Sequence, residues 1–142
     1  MECRKETIQK WQKRWDHRSA EKWTHELIPD IEKWIKRKHG ELNFYLTQVL
    51  TGHGNFSAYL HRFRKIDSPR CIECAHETED VRHTLFVCKR WEDNRQSLKA
   101  QIKTDITPSN MLTIMLASDD HWSSVEAFVR NIMMDKEYRT RQ

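Results

Sequence analysis

The sequence predicts an all-α fold, and three observations support this prediction. Apolar residues recur at intervals of three and four along nearly the whole 142-residue chain, as they do on one face of a helix. Only 3 glycines and 3 prolines are present, which is too few for the many tight turns of a β-sandwich. Six tryptophans offset a hydrophobic content of 37%, because each aromatic side chain contributes a large area to bury.

Five helices are predicted in the N-terminal half. Pro29 suits the first turn of the third helix, and Gly40 is expected to end that helix. The Gly52-His53-Gly54 turn ends the fourth helix, and Asn55 is a candidate N-cap for the fifth. The apolar faces of the five helices are, in order, Ile8, Trp11 and Trp15; Trp23, Leu27 and Ile28; Ile31, Trp34 and Ile35; Leu42, Tyr45, Leu46, Val49 and Leu50; and Phe56, Tyr59, Leu60 and Phe63.

The C-terminal half is predicted to be helical as well. Thr78 is a candidate N-cap for a short helix, and residues 91–102 form a polar helix. A turn over residues 107–110 precedes a helix that starts at Met111, and Ser118 or Asp119 caps the last helix. We interpret most of the six tryptophans as core residues.

A metal-binding motif separates the two halves. Cys71 and Cys74 form a C-x2-C pair, followed by His83 and then by Cys88. Thiolate and imidazole are the donors that Zn²⁺ prefers, and four such ligands complete its tetrahedral shell. Because Cys88 lies five positions after His83, about 500° around an α-helix, we expect the helix to end near Phe86 or Val87. The motif predicts one structural Zn²⁺, with no open position for water or substrate.

Two alternatives to this ligand set remain. The three cysteines could be buried, unreactive thiols with His83 as a hydrogen-bonded core histidine, although a C-x2-C pair with a histidine is rarely coincidental. His76 could replace His83 as the fourth ligand, but it lies only two residues after Cys74, which makes joint coordination awkward.

The predicted fold class is therefore an all-α, compact helical domain with a CCHC zinc knuckle inserted between helical lobes. We divide it into an N-terminal helical segment (residues 1–66), the CCHC zinc knuckle (67–91) and a C-terminal helical segment (92–142). At 142 residues the chain has the length of one domain, and we expect the three segments to form one compact unit.

Charge and hydropathy restrict the class of protein. No run of 18 apolar residues and no apolar N-terminal signal region is present, so we expect a soluble, intracellular protein with no membrane partner. The net charge is +4, but it is uneven. Residues 34–70 hold seven basic and two acidic residues, whereas residues 71–142 hold ten basic and twelve acidic residues. The positive charge is thus concentrated before the metal motif.

Several segments together resemble a known family. They are Trp-Thr-His at residues 23–25, Leu-Ile-Pro-Asp at 27–30, Phe-Tyr-Leu-Thr-Gln at 44–48, Leu-Thr-Gly-His-Gly at 50–54, Tyr-Leu at 59–60, Cys-Ile-Glu-Cys at 71–74, Glu-Thr at 77–78 and His-Thr-Leu-Phe-Val-Cys at 83–88. The series, from about residue 11 to about residue 135, resembles the C-terminal region of non-LTR (LINE-type) retrotransposon reverse transcriptase polyproteins, particularly those of arthropod elements that insert at defined sites.

This resemblance implies a region downstream of the polymerase whose CCHC knuckle contacts nucleic acid during target-primed reverse transcription. The ligand pattern of the family corresponds here to Cys71, Cys74, His83 and Cys88. The endonuclease and polymerase motifs of the family are missing from this sequence, and Asp119-Asp120 is better explained as a helix start. We therefore expect a truncated copy, an excised domain or a host gene derived from one, and no catalytic activity.

Basic residues on both sides of the metal motif form a candidate nucleic-acid surface. They are Arg62, Arg64, Lys65 and Arg70 before it, and Arg82, Lys89 and Arg90 after its first ligands. Phe63 and Trp91 are candidates for stacking on unpaired bases. The alternative is that the cations solvate helix faces and both aromatic residues belong to the core. The Gly52-His53-Gly54 turn is a second candidate for a phosphate contact, and Lys36-Arg37-Lys38 is either a nuclear-import patch or a helix C-terminus that favours cations.

We predict a zinc-stabilised, non-catalytic nucleic-acid-binding domain that holds RNA template or target DNA, and that is nuclear when functional. The main alternative is a protein-interaction module that docks the polymerase portion of the polyprotein or a host factor. A third possibility is a nuclease with a structural zinc, for which His53, His61 and Asp67 are the only candidate residues.

Overall fold

The computed structural model describes residues 2–18 and 22–140, which contain helices and short helical turns and no β-strand. The α-helices are α1 (Glu2–His17), α2 (Lys22–Leu27), α3 (Ile31–Ile35), α4 (Phe44–Thr51), α5 (Ser57–Arg62), α6 (Glu92–Ile102), α7 (Met111–Ala117) and α8 (Asp119–Thr140). Between α5 and α6 lie a π-helical turn (His83–Val87) and a 3-10 turn (Lys89–Trp91). The all-α prediction is confirmed, with the cysteine and histidine residues between helical regions.

Helix α8 organises the packing because it contacts α4, α6 and α7. Its buried face has the helical spacing that the sequence predicts, and consists of Trp122, Val125, Phe128, Val129, Ile132 and Met133. These residues belong to a single cluster of buried side chains that begins at Leu27 and includes Cys71 and Cys88. The division into three segments stays a prediction, but the metal motif shares a core with the helices.

Helix α2 covers the C-terminal end of α4. Trp23 Nε1 donates to the carbonyl of Val49 at 2.8 Å, and Thr24 Oγ1 donates to the carbonyl of Leu50 at 2.8 Å. The last carbonyls of a helix lack partners within it, so these two side chains satisfy groups that would otherwise stay unpaired. Gly52 ends α4 in the left-handed conformation, as predicted, with φ at 73°.

Gly40 has a different role from the one predicted. Helix α3 ends at Ile35, five residues before Gly40. Gly40 has a φ of 99° and lies against the ring of Trp122, where any Cβ would overlap the indole. Trp122 in turn stacks on Trp34 with 6.0 Å between ring centroids. Gly40 therefore permits a close approach of the chain to α8 and does not close α3.

Three predicted helix starts are wrong. Helix α3 begins at Ile31 with Asp30 as its N-cap, so Pro29 precedes the helix. Helix α5 begins at Ser57, and its N–H donates to the carboxylate of Glu79, not to Asn55. At the π-turn Asp80 Oδ1 accepts from the N–H of His83 at 2.8 Å, the role predicted for Thr78. Ser118 does cap α8, since its Oγ accepts from the N–H of His121 at 3.0 Å.

Two further observations concern the exposure of Trp11 and the apolar character of the helices. Trp11 has 46% of its surface exposed, so it is not the core residue that its position on the apolar face of α1 predicts. None of the helices in the two described ranges combines the length and the apolar character that a membrane crossing requires.

Candidate metal centre and nucleic-acid interface

Cys71, Cys74, His83 and Cys88 converge in the structure. Their candidate ligand atoms all lie within 4.8 Å of one another. Cys71 Sγ lies 3.7 Å from Cys88 Sγ, and Cys74 Sγ lies 3.2 Å from His83 Nε2. Cys71, His83 and Cys88 are buried and Cys74 is half-buried. The four residues predicted from spacing alone thus form one group that could bind a metal ion.

The first two cysteines lie in a tight turn. The N–H of Ala75 donates to the carbonyl of Cys71 at 2.8 Å, and the N–H of Cys71 donates to the carbonyl of His76 at 2.9 Å. Ala75 adopts a left-handed conformation with φ at 61°, which is costly for a residue with a Cβ. The backbone N–H groups of Cys74 and Glu73 donate to the sulfur of Cys71, the arrangement that stabilises a thiolate.

The other two ligands are joined by the π-helical turn. The N–H of Cys88 donates to the carbonyl of His83 at 2.7 Å, five residues earlier in the chain. A π-turn closes i to i+5, so residues five apart come to lie one turn apart on the same side. The helix ends by Val87, as predicted. Its last residues, His83–Val87, form a wider π-helical turn, which the sequence did not indicate.

Burial controls the protonation of this group in the metal-free protein. Desolvation raises the pKa of the Cys88 thiol to about 12 and raises that of Cys71 as well, since a buried thiolate loses its hydration. Desolvation also lowers the pKa of His83, with the nearby His76 adding to the effect. At neutral pH Cys71 and Cys88 are therefore thiols and His83 is neutral, with a ring nitrogen free to coordinate.

Two of the ligand-atom distances are close to those around a tetrahedral metal. Two zinc–sulfur bonds of about 2.3 Å at a tetrahedral angle place their sulfurs about 3.8 Å apart. The Cys71–Cys88 sulfur distance of 3.7 Å matches this value. The Cys74–His83 distance of 3.2 Å is a few tenths of an ångström shorter than the same geometry requires. Two of the ligand-atom distances therefore lie within a few tenths of an ångström of tetrahedral values, and all four atoms lie within 4.8 Å of one another.

His76 is not part of the ligand group. Its ring stacks on the ring of His83 with 4.5 Å between centroids, and its Nδ1 accepts from the N–H of Thr78 at 3.3 Å. Stacking on His76 holds the imidazole of His83, and the Asp80 cap fixes its backbone, while His83 Nδ1 is buried with no hydrogen-bond partner in the described part of the chain. The histidine nearest in sequence to Cys74 thus supports the ligand and does not replace it.

Arg95 positions the backbone of Cys88. Its guanidinium donates to the carbonyl of Cys88 and, at 3.2 Å, to the carbonyl of Leu85, and it also pairs with Glu92. The side chain of Arg95 is mostly buried, at 11% exposure. It therefore binds carbonyl groups that the π-turn leaves without helical partners, a role that the sequence did not indicate.

An ion-pair network joins the cysteine turn to α8. Glu73, which lies between the first two cysteines, pairs with Arg139 at 2.7 Å and with Arg90 at 3.8 Å. Asp135 pairs with the same two arginines, at 3.1 Å and 2.9 Å. Two carboxylates and two guanidinium groups thus close a ring between the turn and the last helix.

Glu79 is the buried polar centre of this region. Its carboxylate accepts from the N–H of Ser57 at 2.7 Å and from Thr84 Oγ1 at 3.1 Å, and it pairs with Lys136 of α8. Both members of the pair are nearly buried. Glu79 therefore caps α5 and ties it to the π-turn and to α8. Because Lys136 lies 57 residues away, no local pattern predicted this contact.

Five of the seven predicted nucleic-acid-binding cations are exposed and make no ion pair within the described residues: Arg62, Arg64, Lys65, Arg70 and Lys89. Residues 62–70 hold four basic residues and one acidic residue, Asp67. Arg64 occupies the left-handed position that follows α5, with φ at 58°. Its N–H donates to the carbonyl of His61, and that of Lys65 to the carbonyl of Leu60, each at 2.9 Å. This Schellman motif fixes the backbone of both cations.

The other two cations are engaged within the protein. Arg82 pairs with Glu26 and lies over the ring of Trp23, at 5.2 Å from its centroid. Arg90 pairs with Glu73 and Asp135 in the ring described above. The charges of Arg82 and Arg90 are largely compensated by these ion pairs. Phosphate binding by these two residues stays a prediction, and it has less structural support than phosphate binding by the five unpaired cations.

The two predicted stacking residues differ. Phe63 is 53% exposed, at the end of α5, as base stacking requires. Trp91 is only 2% exposed and belongs to the buried core, where Arg90 covers its ring at 4.4 Å from the centroid. Trp91 is therefore unavailable to a base, and that part of the predicted surface is wrong. For this residue the burial agrees with the alternative stated above, that the aromatic residues belong to the core.

The remaining candidates lie apart from the metal group. Lys36 pairs with Glu32 at 2.6 Å, and Arg37 donates to the carbonyl of Trp34 at 2.9 Å, so both cations act locally at the end of α3. His53 stacks on Tyr59, and His61 Nδ1 lies 3.2 Å from the carbonyl of Ile66. No metal-type cluster joins His53, His61 and Asp67 in the part of the chain that the structure describes.

The fold and the site together define a class: a helical protein segment built around one Cys3His group that could bind a metal ion. Comparison with curated proteins then identifies its relatives. The chain is 36% identical over 85 residues, 60% of its length, to the "Retrovirus-related Pol polyprotein from type-1 retrotransposable element R1" of Bradysia coprophila. It is 35% identical over 89 residues to the "Putative 115 kDa protein in type-1 retrotransposable element R1DM" of Drosophila melanogaster, and 25% identical over 121 residues to a Pol polyprotein of element R1 in Nasonia vitripennis.

The curated homologues of this chain are thus Pol polyproteins of R1 non-LTR retrotransposons, and the resemblance drawn from the sequence is confirmed. The matched segment is 8% of the Bradysia protein, 9% of the Drosophila protein and 31% of the Nasonia protein. No family model matches the chain. No solved structure matches it either.

Proposed function

We propose that this chain is a zinc-stabilised nucleic-acid-binding domain of a non-LTR retrotransposon polyprotein, without catalytic activity of its own. Cys71, Cys74, His83 and Cys88 would hold the zinc ion. When bound, zinc supplies folding free energy, because all four of its tetrahedral positions are taken by protein ligands. Template RNA or target DNA would lie on the cations next to the metal group, in the nucleus, while the polymerase portion of the polyprotein acts elsewhere.

One observation carries this proposal. Arg62, Arg64, Lys65 and Arg70 are exposed and make no ion pair in the described chain, and they extend from the last residue of α5 to the cysteine turn. Unpaired cations on a fixed backbone suit phosphate groups, whose binding releases counterions. The relatives support the proposal because they are retrotransposon Pol polyproteins.

Binding assays at several salt concentrations test this function. Fluorescence anisotropy of the zinc-loaded chain would be measured with labelled single-stranded RNA, single-stranded DNA and duplex DNA. The triple variant Arg62→Ala/Arg64→Ala/Lys65→Ala should bind more weakly, and its plot of log K against log salt should be shallower by about 2 for a single strand. A matched control, Lys5→Ala/Lys10→Ala/Lys13→Ala on α1, makes the same change in net charge and should retain the original slope. No binding by the unmodified chain at low salt would refute the function.

A protein-docking function is the second candidate, and one observation favours it. Phe44 is 70% exposed at the start of α4 and lines an apolar groove with Tyr45, Leu60 and Met133. Exposed apolar patches of this kind mark interaction sites. Binding of the polymerase portion that is lost in Phe44→Ala and retained in the triple cation variant would support docking.

A further inference from the structure

Three aromatic rings next to the unpaired cations form a continuous ladder. The ring of His53 stacks on that of Tyr59 with 4.9 Å between centroids and 19° between planes. Tyr59 contacts Phe63, one helical turn later, again at 4.9 Å and with planes at 58°. We call these three residues the aromatic ladder.

The first two rings of the ladder, His53 and Tyr59, are held in place by their surroundings. Gly52, in the left-handed conformation, ends α4, and Thr51 Oγ1 accepts from the N–H of His53 at 3.2 Å. Gly54 lies so close to the side chain of Gln48 that a Cβ would overlap it. Tyr59 packs against the core from the first turn of α5. The two glycines therefore bring His53 to Tyr59 through close backbone packing, so the stacking is built into the turn.

The outer rings are accessible. Phe63 is 53% exposed, and His53 is exposed as well. An aromatic pair in water keeps a face on which another flat ring can stack, and bases stack on such faces with little dependence on sequence. A base can therefore extend the aromatic ladder by stacking on its outer ring at either end, His53 or Phe63.

The charge around the ladder suits a phosphate backbone. The guanidinium of Arg62 lies 5.7 Å from the centroid of Phe63, and Arg64 and Lys65 follow directly on the fixed Schellman turn. In the adjoining cleft Glu26 is paired with Arg82, whereas Arg62, Arg64 and Lys65 make no ion pair within the described residues. An anion that follows the ladder therefore meets uncompensated positive charge.

We infer that the aromatic ladder is a base-stacking site for single-stranded nucleic acid, with Arg62, Arg64 and Lys65 binding the adjoining phosphates. A duplex keeps its base faces stacked within its own helix, so only an unpaired strand offers faces to these rings. This inference rests on the proposed function and adds to it the kind of nucleic acid that is bound.

The test separates base stacking from phosphate binding. The zinc-loaded chain and the variant His53→Ala/Phe63→Ala would be titrated with a labelled 12-nucleotide oligo-dT and with an abasic strand of the same length, which keeps the phosphates and lacks the bases. The variant should bind oligo-dT about 10-fold more weakly, and the abasic strand as the unmodified chain does. Trp11→Ala removes a comparably exposed aromatic residue from α1 and should change neither affinity.

The other possible results of these titrations each contradict the inference. If the variant binds oligo-dT as tightly as the unmodified chain, the ladder is not a base site, while salt-dependent binding through the cations still supports the proposed function. If the variant loses oligo-dT and the abasic strand equally, the rings act through the fold and the inference is overturned. If the unmodified chain binds neither strand, the proposed function fails together with the inference. Zinc content and thermal unfolding, unchanged in both variants, exclude a folding defect.

Discussion

The N–H of Cys88 donates to the carbonyl of His83 at 2.7 Å, and this single π-type bond brings two of the four candidate ligands to the same side of the chain. On a regular α-helix the two residues would be about 500° apart, with their side chains facing different directions. The widened turn therefore builds the metal group, and most of our predictions concern what holds or uses it.

The first prediction concerns the ligand set. Cys88→Ser should lower zinc affinity sharply and loosen residues 70–90, because metal binding and local folding are coupled. His76→Ala is the matched control and should retain one zinc ion, since His76 is outside the ligand group. Zinc content by native mass spectrometry and amide hydrogen exchange would measure both effects. A full equivalent of zinc in Cys88→Ser at unchanged thermal stability would show that the ligand set is wrong.

Zinc loading should also release protons. Burial raises the pKa of Cys71 and raises that of Cys88 to about 12, so both thiols are protonated at pH 7 without metal, whereas zinc binds thiolate. His83, with its lowered pKa, is already neutral and contributes no proton. Loading should therefore release at least two protons per ion, and affinity should fall as the pH is lowered. Calorimetry in two buffers of different ionisation enthalpy measures the number, and release of fewer than one proton contradicts thiolate ligation by this pair.

Ala75 in the cysteine turn offers a stability test. Because its φ of 61° is costly for a residue with a Cβ, Ala75→Gly should raise the free energy of unfolding by about 0.5–1 kcal/mol. Ala100→Gly, on the exposed face of α6, makes the same chemical change in a regular helix and should lower it by about 1 kcal/mol. Chemical denaturation measures both values. Equal losses in the two variants would mean that Ala75 is not left-handed in solution.

Arg64 allows stability and binding to be separated. Arg64→Gly removes a Cβ from the left-handed position after α5, so thermal stability should rise slightly. The same change removes one of the unpaired cations, so affinity for a single strand should fall and its salt dependence should weaken by about 0.7. Arg130→Gly lies within α8 and should lose stability without losing affinity. Unchanged affinity in Arg64→Gly would remove Arg64 from the nucleic-acid surface.

The Glu79–Lys136 pair should be the most sensitive polar contact. Glu79→Ala leaves a nearly buried ammonium group without a partner and removes the cap of α5, and should cost about 3 kcal/mol. The double variant Glu79→Gln/Lys136→Met should cost less than the sum of its single changes, because no charge is left alone. Lys36→Ala breaks the exposed pair with Glu32 and should cost less than about 1 kcal/mol. Urea unfolding of the set tests this order, and an equal cost for the two pairs would contradict it.

Local sequence signals predicted what is local in this structure. Helical spacing identified the buried face of α8, and C-x2-C with His83 and Cys88 identified the metal group. Ser118 and Gly52 act at helix ends as their residue types indicate. These features depend on residues at most 17 positions apart in the chain, so a linear pattern contains them.

Features that depend on residues far apart in the chain could not be predicted from local sequence patterns. Glu79 caps α5 from a position 22 residues away, and so displaces Asn55, which is the better cap by type. Trp91 belongs to the same buried cluster as residues of α6 and α8, although its neighbours in sequence are polar. Ala75 and Arg64 occupy left-handed positions where glycine is the usual residue, so no glycine marked either turn. In each case a tertiary contact or a tolerated strain outweighed the local preference.

X-ray absorption at the zinc edge of the purified chain tests the central claim most directly, because it counts the donor atoms around the ion. We expect one zinc ion with three sulfur ligands at about 2.3 Å and one nitrogen ligand at about 2.0–2.1 Å. A shell dominated by oxygen and nitrogen, or a chain purified from zinc-supplemented cells without the metal, would contradict it.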